Sequence, residues 1–423
     1  MLDRTITPPF TKVDSISIPP AIHQSLANGI PLHLIISGTP AVVKIELIFK
    51  AGSWNEQQAE AAWFTLKMLS EGTSNQDAKS IASMLDYYGA ELEINPGKDY
   101  SFVALYCLDK FAGKLLQLLI DVWQNPIFPA EELEKMKFIR KQNLRVNMEK
   151  TSFLAGVHFR NALYGDNHPY GRMVNPENID AIDTEHLKAF HQSFLNRPHD
   201  VLVCGNPSKE TLELINNSIG NLQLRDNALI DAVEPGLPKQ NMLIEKPESL
   251  QSTIRMGQHS ISKSHPDYPK LALANEILGG YFGSRLMKNI REEKGLTYGI
   301  FSALINMING DYLMIGSDVK RENTQLVEDE IIREIKLLQT ERVSEDELQK
   351  VKNYMSGSFV MSFNNAFALA DKFKEAHLHG LDYGYYNDYL HALNQTTAEE
   401  IVLMANQYFN IEKMQTVIAG GKN

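Results

Sequence analysis

Apolar residues recur along the chain with two periods, and the change from one to the other marks out the elements. In "VVKIELIF", Val43, Ile45, Leu47 and Phe49 alternate against Lys44 and Glu46, the period-2 pattern of a β-strand. Residues 56–70 then read as a helix running into Gly72-Thr73, and a second amphipathic helix ends at "YYGAE". "YSFVALYCL" is apolar on both faces, so this strand is expected to be covered on both. "LLQLLIDVWQ" is a helix closed by Pro126, and "AEELEKMKFIRKQNLRVNMEK" is a long charged helix. A further helix, another at "TEHLKAFHQSF" and the strand "VLVCG" follow. Strands separated by helices, but also in pairs, predict an α+β sandwich rather than a doubly wound sheet.

The pattern occurs twice. "EELEKMK" (131–137) resembles "DELQKVK" (346–352), pairing Leu133 with Leu348, Lys135 with Lys350 and Lys137 with Lys352 at a spacing of 215 residues. The same spacing pairs Leu154-Ala155 with Leu369-Ala370, Glu185 with Glu400, Phe194 with Phe409, and "VLVCG" with "TVIAG". Two homologous halves are expected, at 1–224 and 241–423. The linker at 225–240 holds two prolines and a glycine that break any helix.

At 423 residues the chain suits two or more domains. Its net charge of −11 argues against nucleic acid as a main partner, because phosphate binding needs a basic surface. Cys107 and Cys204 are the only cysteines; both lie in apolar strand-like runs and read as buried free thiols, with no disulfide scaffold and no Cys-rich zinc site. "MLDRTITPPF" lacks the build of a signal peptide, and no run approaches the length of a membrane span, so a cytoplasmic location away from membranes is expected.

Histidine spacing offers little to a metal. His377 and His379 are two apart and diverge on a helix, His186 and His191 are five apart, and His168 before Pro169 suits the cap of a turn. "LGGYFGS" lacks the spacing and downstream acid of a dinucleotide site. Trp63 and Lys67, four apart in "WFTLKMLSEGT", share a helical face and suit a packing or cation–π pair.

"LGGYFGSRLMKNIREEKGLTYGIFSA" (278–303) resembles the signature of the insulinase/pitrilysin-type zinc peptidases. The matching elements are Gly279-Gly280, Gly283-Ser284-Arg285-Leu286, Arg291 and Gly295-Leu296-Thr297-Tyr298. "HPYG" followed by "NIDAIDTEHLKAFH" resembles the family's first half, as does the order helix, "GT", helix, "YGA". The resemblance runs over nearly the whole chain. It implies two homologous α/β-sandwich domains, each a mainly antiparallel sheet packed with helices, that together make one half of a clam-shell enclosing a chamber.

In active members the first helix carries His-x-x-Glu-His. Two histidines at i and i+4 hold one zinc, the Glu polarises its water, and a third ligand, a Glu, comes from a later helix. Counting back from Gly72-Thr73, those five positions are Trp63-Phe64-Thr65-Leu66-Lys67, a degenerate metal site at Trp63, Leu66 and Lys67. The third ligand is replaced near Gln142 or Asn143. No metal is therefore expected in this chain. What the resemblance retains is Arg291, implied to hold substrate carbonyls, and Tyr298, implied to hydrogen-bond the oxyanion, with Gly279, Gly280 and Gly283 in a substrate-binding loop. As residue types alone, Arg291 beside Glu292 or Glu293 equally suits a surface ion pair, and Tyr298 an ordinary strand position.

Some members split the labour between two chains, one keeping the zinc helix and the other the Arg–Tyr pair. The pattern here is the second. It implies a zinc-free subunit, inactive alone, that assembles with a zinc-binding peptidase subunit of the same family and acts on an extended peptide added to a sheet edge. The alternative is a non-catalytic homodimer that binds peptide or serves as a structural core.

Overall fold

The computed structural model describes residues 13, 15–37, 41–228, 233–236 and 241–421. The first sheet contains β1 (Ile22–Ser25), β2 (Pro31–Ile36), β3 (Val42–Phe49), β4 (Glu91–Asn95), β5 (Ser101–Leu108) and β6 (Asp200–Gly205), in the order β1-β2-β6-β3-β5-β4. The second contains β7 (Met242–Glu245), β8 (Gln251–His259), β9 (Thr297–Ile305), β10 (Tyr312–Lys320) and β11 (Gln415–Gly420), in the order β7-β11-β8-β10-β9. Leaving out β1, the two orders match strand for strand. Each has one parallel pair, β2 with β6 and β7 with β11, and is otherwise antiparallel. This is the α+β pair of helix-packed sheets that the pattern predicts.

The repeat spacing is visible in the helices too. Ala130–Met148 answers to Glu345–Met361, and Thr151–Tyr164 to Ala366–Leu378. The linker's described residues, 225–228 and 233–236, carry no regular element. The remainder of the linker lies outside the described residues, as does "MLDRTITPPF". Among the described residues no helix is long and apolar enough to cross a membrane.

The first helix departs from expectation. It spans Ala61–Lys67 rather than 56–70, because the chain before it is held in turns. Trp54 N donates to Lys98 O and Asn55 N to Gly52 O, and Glu60 takes a left-handed φ of 75°. A left-handed residue cannot belong to a right-handed helix, so the helix begins only after Glu60.

Each sheet packs one face on its own half and the other on a helix from the opposite half. On β5, Val103, Leu105 and Cys107 enter the first core, whereas Tyr106 meets Phe367 at 5.7 Å between ring centroids and Phe102 lies under the Lys374 ammonium at 4.3 Å. Helix Ala366–Leu378 thus covers the first sheet, lying over β2 and β6 with Leu369, Ala370 and Phe373 against Ile35, Ile48, Leu202 and Cys204. In return, helix Thr151–Tyr164 lies on β8 and β11 of the second sheet, with Phe159 and Tyr164 against Tyr312 and Val417. His259 Nε2 donates to Leu163 O at 2.9 Å and Tyr164 OH to Gly310 O at 3.1 Å along this seam. Cys107 and Cys204 are free and buried, and burial pushes both thiols up to about 12.

Candidate functional site

The first helix buries Ala61, Ala62, Phe64, Thr65 and Leu66 in the first core and leaves Trp63 and Lys67 half-buried. Leu66, at the position where the resemblance implies a catalytic Glu, is fully enclosed by apolar side chains. Trp63 and Lys67 do not pair with each other. Lys67 Nζ turns to β4 and donates to Ile94 O at 2.7 Å. The cation over Trp63 is Arg140, from helix Ala130–Met148, with its guanidinium 4.4 Å from the ring centroid. A half-buried ammonium binds a carbonyl oxygen more strongly than a ring face, which leaves the indole to the flat, weakly hydrated guanidinium.

Arg140 is also held from behind. Its Nε donates to Glu60 Oε2 at 2.7 Å and its Nη2 to Glu60 Oε1 at 3.0 Å, a two-pronged bond to a buried carboxylate. Gln142 and Asn143, further along the same helix, are exposed. The face on which the resemblance implies zinc ligands is therefore closed by an indole, a guanidinium and an ammonium. Nothing local in the sequence joins Arg140 to Glu60, 80 residues earlier.

Glu56 sits beside the pair with its side chain only 6% exposed, and Arg172 Nη1 is 3.5 Å from its Oε1. Burial pushes the Glu56 carboxyl up to about 7, against the pull of backbone N–H groups including that of Ala62. A raised carboxyl stabilises the fold fully below its unfolded value of 4.5 and loses that contribution as pH rises through about 7. Glu56→Gln should remove this slope. Between pH 4.5 and 8 the parent protein is expected to lose on the order of 2–3 kcal/mol more unfolding free energy than the variant, measured by urea denaturation. Parallel pH profiles would count against the buried carboxyl.

In the second half, Arg291 and Tyr298 come together. Arg291 lies in the π-helical segment Met287–Glu293, Gly295 turns the chain at φ +62°, and β9 then carries Tyr298. The guanidinium is 5.8 Å from the Tyr298 ring centroid and 4.5 Å from that of Phe282. Among the described residues Arg291 forms no ion pair with Glu292, Glu293 or any other carboxylate, and the Tyr298 hydroxyl has no hydrogen-bond partner. Tyr298, on the edge strand of the second sheet, is 93% exposed, and Phe282, in the turn after Gly280, is 64% exposed.

The glycines approach this edge from behind. A second π-helical segment, Glu276–Gly280, packs on β9, where a Cβ at Gly279 would stand 2.7 Å from Ser302 N and Cβ. Gly280 closes that segment, and Gly283 is exposed beside Tyr281. Wide turns of this kind are frequent at functional sites, and residue pattern does not distinguish them from ordinary helix. No hydrogen bond, ion pair or ring contact among the described residues links the Arg291–Tyr298 group to Trp63, Leu66 or Lys67. The two groups belong to different cores.

The histidines mostly do structural work. His168 caps its turn, its Nδ1 accepting from Tyr170 N at 3.1 Å, and its ring stacks 4.7 Å from Tyr164. His191 Nε2 donates to Trp123 O at 2.7 Å, and His186 lies by Asp183. His379 Nδ1 donates to Glu375 O, whereas His377 turns away from it to meet Asp200 and His33. That last cluster, assembled from positions 33, 200 and 377, has no signature in local spacing.

The fold and these two groups define a protein built on the plan of a two-sheet zinc peptidase. Residues 34–176 match the insulinase family, peptidase family M16, and residues 181–355 match the peptidase M16 inactive domain. The chain belongs to the M16 insulinase family and is a member without the His-x-x-Glu-His motif. An uncharacterized zinc protease of Bacillus subtilis is 23% identical over 405 residues, covering 94% of this chain and 97% of its own. A non-peptidase homolog of Helicobacter pylori is 25% identical over 329 residues, 74% of each chain. A solved structure described as a peptidase M16 inactive domain from Pseudomonas fluorescens superposes with a TM-score of 0.86 at 26% identity, covering 95% of this chain and 98% of that one. The periplasmic protease PqqL of Escherichia coli shares the fold, with a TM-score of 0.79 at 14% identity. This chain spans about half of it, 49%.

Proposed function

We propose that this chain is the subunit of a two-chain M16 peptidase that lacks the catalytic zinc, supplying Arg291 and Tyr298 to a site whose zinc belongs to a partner subunit of the same family. The observation that carries this reading is the state of the pair: among the described residues, a guanidinium with no carboxylate partner lies beside a phenol with no hydrogen-bond partner that stands exposed on the edge strand β9. A fork of N–H donors and a phenolic O–H suit the carbonyl oxygens of a peptide and the oxyanion formed when water attacks one. Phe282 and Tyr298 leave apolar rings in solvent, which suits a surface that a partner covers. The substrate is an extended peptide pairing with a sheet edge. The division at 1–224, 225–240 and 241–423 belongs to the same proposal, as does a cytoplasmic location.

The test is to assay this chain alone, a His-x-x-Glu-His partner alone and the mixture, with zinc present. The mixture should exceed the sum of its parts, and equal activity of partner and mixture would overturn the reading. Within an active complex, Tyr298→Phe should lower kcat by about 10²–10³-fold with assembly intact by gel filtration. Unchanged turnover would remove Tyr298 from the oxyanion role.

A second reading has its own support. The face of the first helix is filled by Arg140 and Glu60 rather than left open, and the Helicobacter pylori relative is described as a non-peptidase homolog. On that reading the chain is a homodimeric peptide-binding or structural core. It would purify as a homodimer that binds unfolded peptide without cleaving it, with or without any zinc subunit.

A further inference from the structure

We propose that His33, Asp200 and His377 form a site for a divalent transition metal, zinc by the chemistry of the ligands, which fastens the second half's helix to the first sheet. His33 lies on β2 and Asp200 opens the adjacent parallel strand β6. His377 reaches them from the last turn of helix Ala366–Leu378. Asp200 Oδ1 is 2.9 Å from His33 Nε2, and Asp200 Oδ2 is 3.1 Å from His377 Nε2. The three ligand atoms lie within 4.8 Å of one another. A tetrahedral zinc with bonds of about 2.0–2.1 Å holds its ligand atoms about 3.3 Å apart, so small side-chain shifts would admit the ion.

Three further observations favour a cation here. Asp200 is 2% exposed, and among the described residues no lysine or arginine lies within ion-pair reach of it; its partners are the imidazoles of His33, His377 and His199. A buried carboxylate needs a compensating positive charge, and neutral imidazoles do not supply one. The shell beyond the ligands is suited to a metal. His33 Nε2 donates to Asp200 in the metal-free form; on loading, the His33 proton would pass to Nδ1, where His23 Nδ1, 2.9 Å away, can accept it, and Nε2 would ligate. Phe373 walls the site, stacked on His377 with ring centroids 5.3 Å apart and lying 5.0 Å from His33. Finally, a fourth donor is at hand: His199 Nε2 is 3.6 Å from Asp200 Oδ2 and half-exposed at the rim. Imidazole and carboxylate donors select zinc over calcium or magnesium.

The site is independent of the emptied helix at Trp63–Lys67 and of the partner's zinc, so the chain is tested alone. The tag-free full-length protein, stripped with chelator, is titrated with zinc by calorimetry and its metal content is measured after gel filtration. One zinc per chain is expected, with a rise in Tm on loading. His377→Gln and His33→Gln should each weaken binding by more than about 100-fold, and His23→Phe, which removes only the orienting contact, by about 10–100-fold. Cobalt substitution should give the visible bands of a tetrahedral nitrogen–oxygen site. His377→Gln sits at the rim of the fold, so its stripped form, checked by circular dichroism, separates lost binding from lost structure. Absence of saturable zinc uptake by the parent, or uptake unchanged in both His33→Gln and His377→Gln, overturns the proposal. In that case one of the imidazoles carries the compensating proton.

Discussion

Phe159→Ala is expected to destabilise the protein by about 3–5 kcal/mol and to lower the unfolding midpoint of both halves together. Phe159 is fully buried, but the wall that buries it is not its own half's sheet. Its helix, Thr151–Tyr164, lies on β8 and β11, and the ring tip stands 3.0 Å from where a Cβ on Gly257 would be, a position kept as glycine by the Leu313 carbonyl oxygen, 1.9 Å from that Cβ. Truncation leaves a ring-sized void in a seam walled by rigid strands, which relaxes poorly. The second sheet loses cover while the first half loses the docking of its own helix, so tryptophan fluorescence and far-ultraviolet circular dichroism should report one shared transition at lower urea. Leu403→Ala, on a residue 60% exposed, is the control and should change stability by no more than about 0.5 kcal/mol. Two separate transitions in the Phe159→Ala protein would show that the halves unfold independently.

The second large effect is expected at Arg140. Arg140→Met should cost about 3 kcal/mol, because it strands the Glu60 carboxylate, 7% exposed, without its fork of donors and uncovers Trp63. Glu60 adopts a left-handed backbone that the pair helps to hold. The double change Arg140→Met with Glu60→Gly removes the stranded charge and the unfavourable φ together, and should recover most of the loss. A double-mutant cycle by urea denaturation checks this. Additive losses would mean that the two side chains act separately, and that the filled face of the first helix is not one interlocked unit.

Much of the architecture is legible in the residues. The alternation in "VVKIELIF", the boundaries of "TEHLKAFHQSF" and the 215-residue repeat of Ala130–Met148 in Glu345–Met361 all reflect local periodicity, and the structure carries each of them. The doubly apolar β5 announced cover on both faces, yet no local signal could say that Phe367 and Lys374 supply one of them. The helix drawn over 56–70 failed at its start for a similar reason. The chain leading into it is bonded by Ser53 and Trp54 to Gly97 and Lys98, forty residues away, and Glu60 takes a left-handed φ, backbone settings that leave no trace in side-chain pattern. Arg291 and Tyr298 were found as a motif, with Phe282 unnoticed beside them. The π-helical form of Met287–Glu293 was hidden, because such turns differ from ordinary helix in backbone bonding rather than in side-chain spacing. Lys67 bonds to Ile94 rather than pairing with Trp63, because periodicity names neighbours on one helix and not the carbonyl of Ile94 opposite.

The reciprocal placing of helices Thr151–Tyr164 and Ala366–Leu378 also governs how the protein can be made. A ribosome finishes every strand of the first sheet by Gly205, but the helix that covers Ile35, Ile48, Leu202 and Cys204 is complete only at Leu378. For the whole of that interval the nascent chain presents an uncovered apolar sheet face, together with a helix whose own seat has not been synthesised. Such a chain is arranged like two interlocked hands written into one gene. Its vulnerable period lies in translation, when a holdase or a slow codon run before residue 366 would change the yield without altering a single contact of the finished fold.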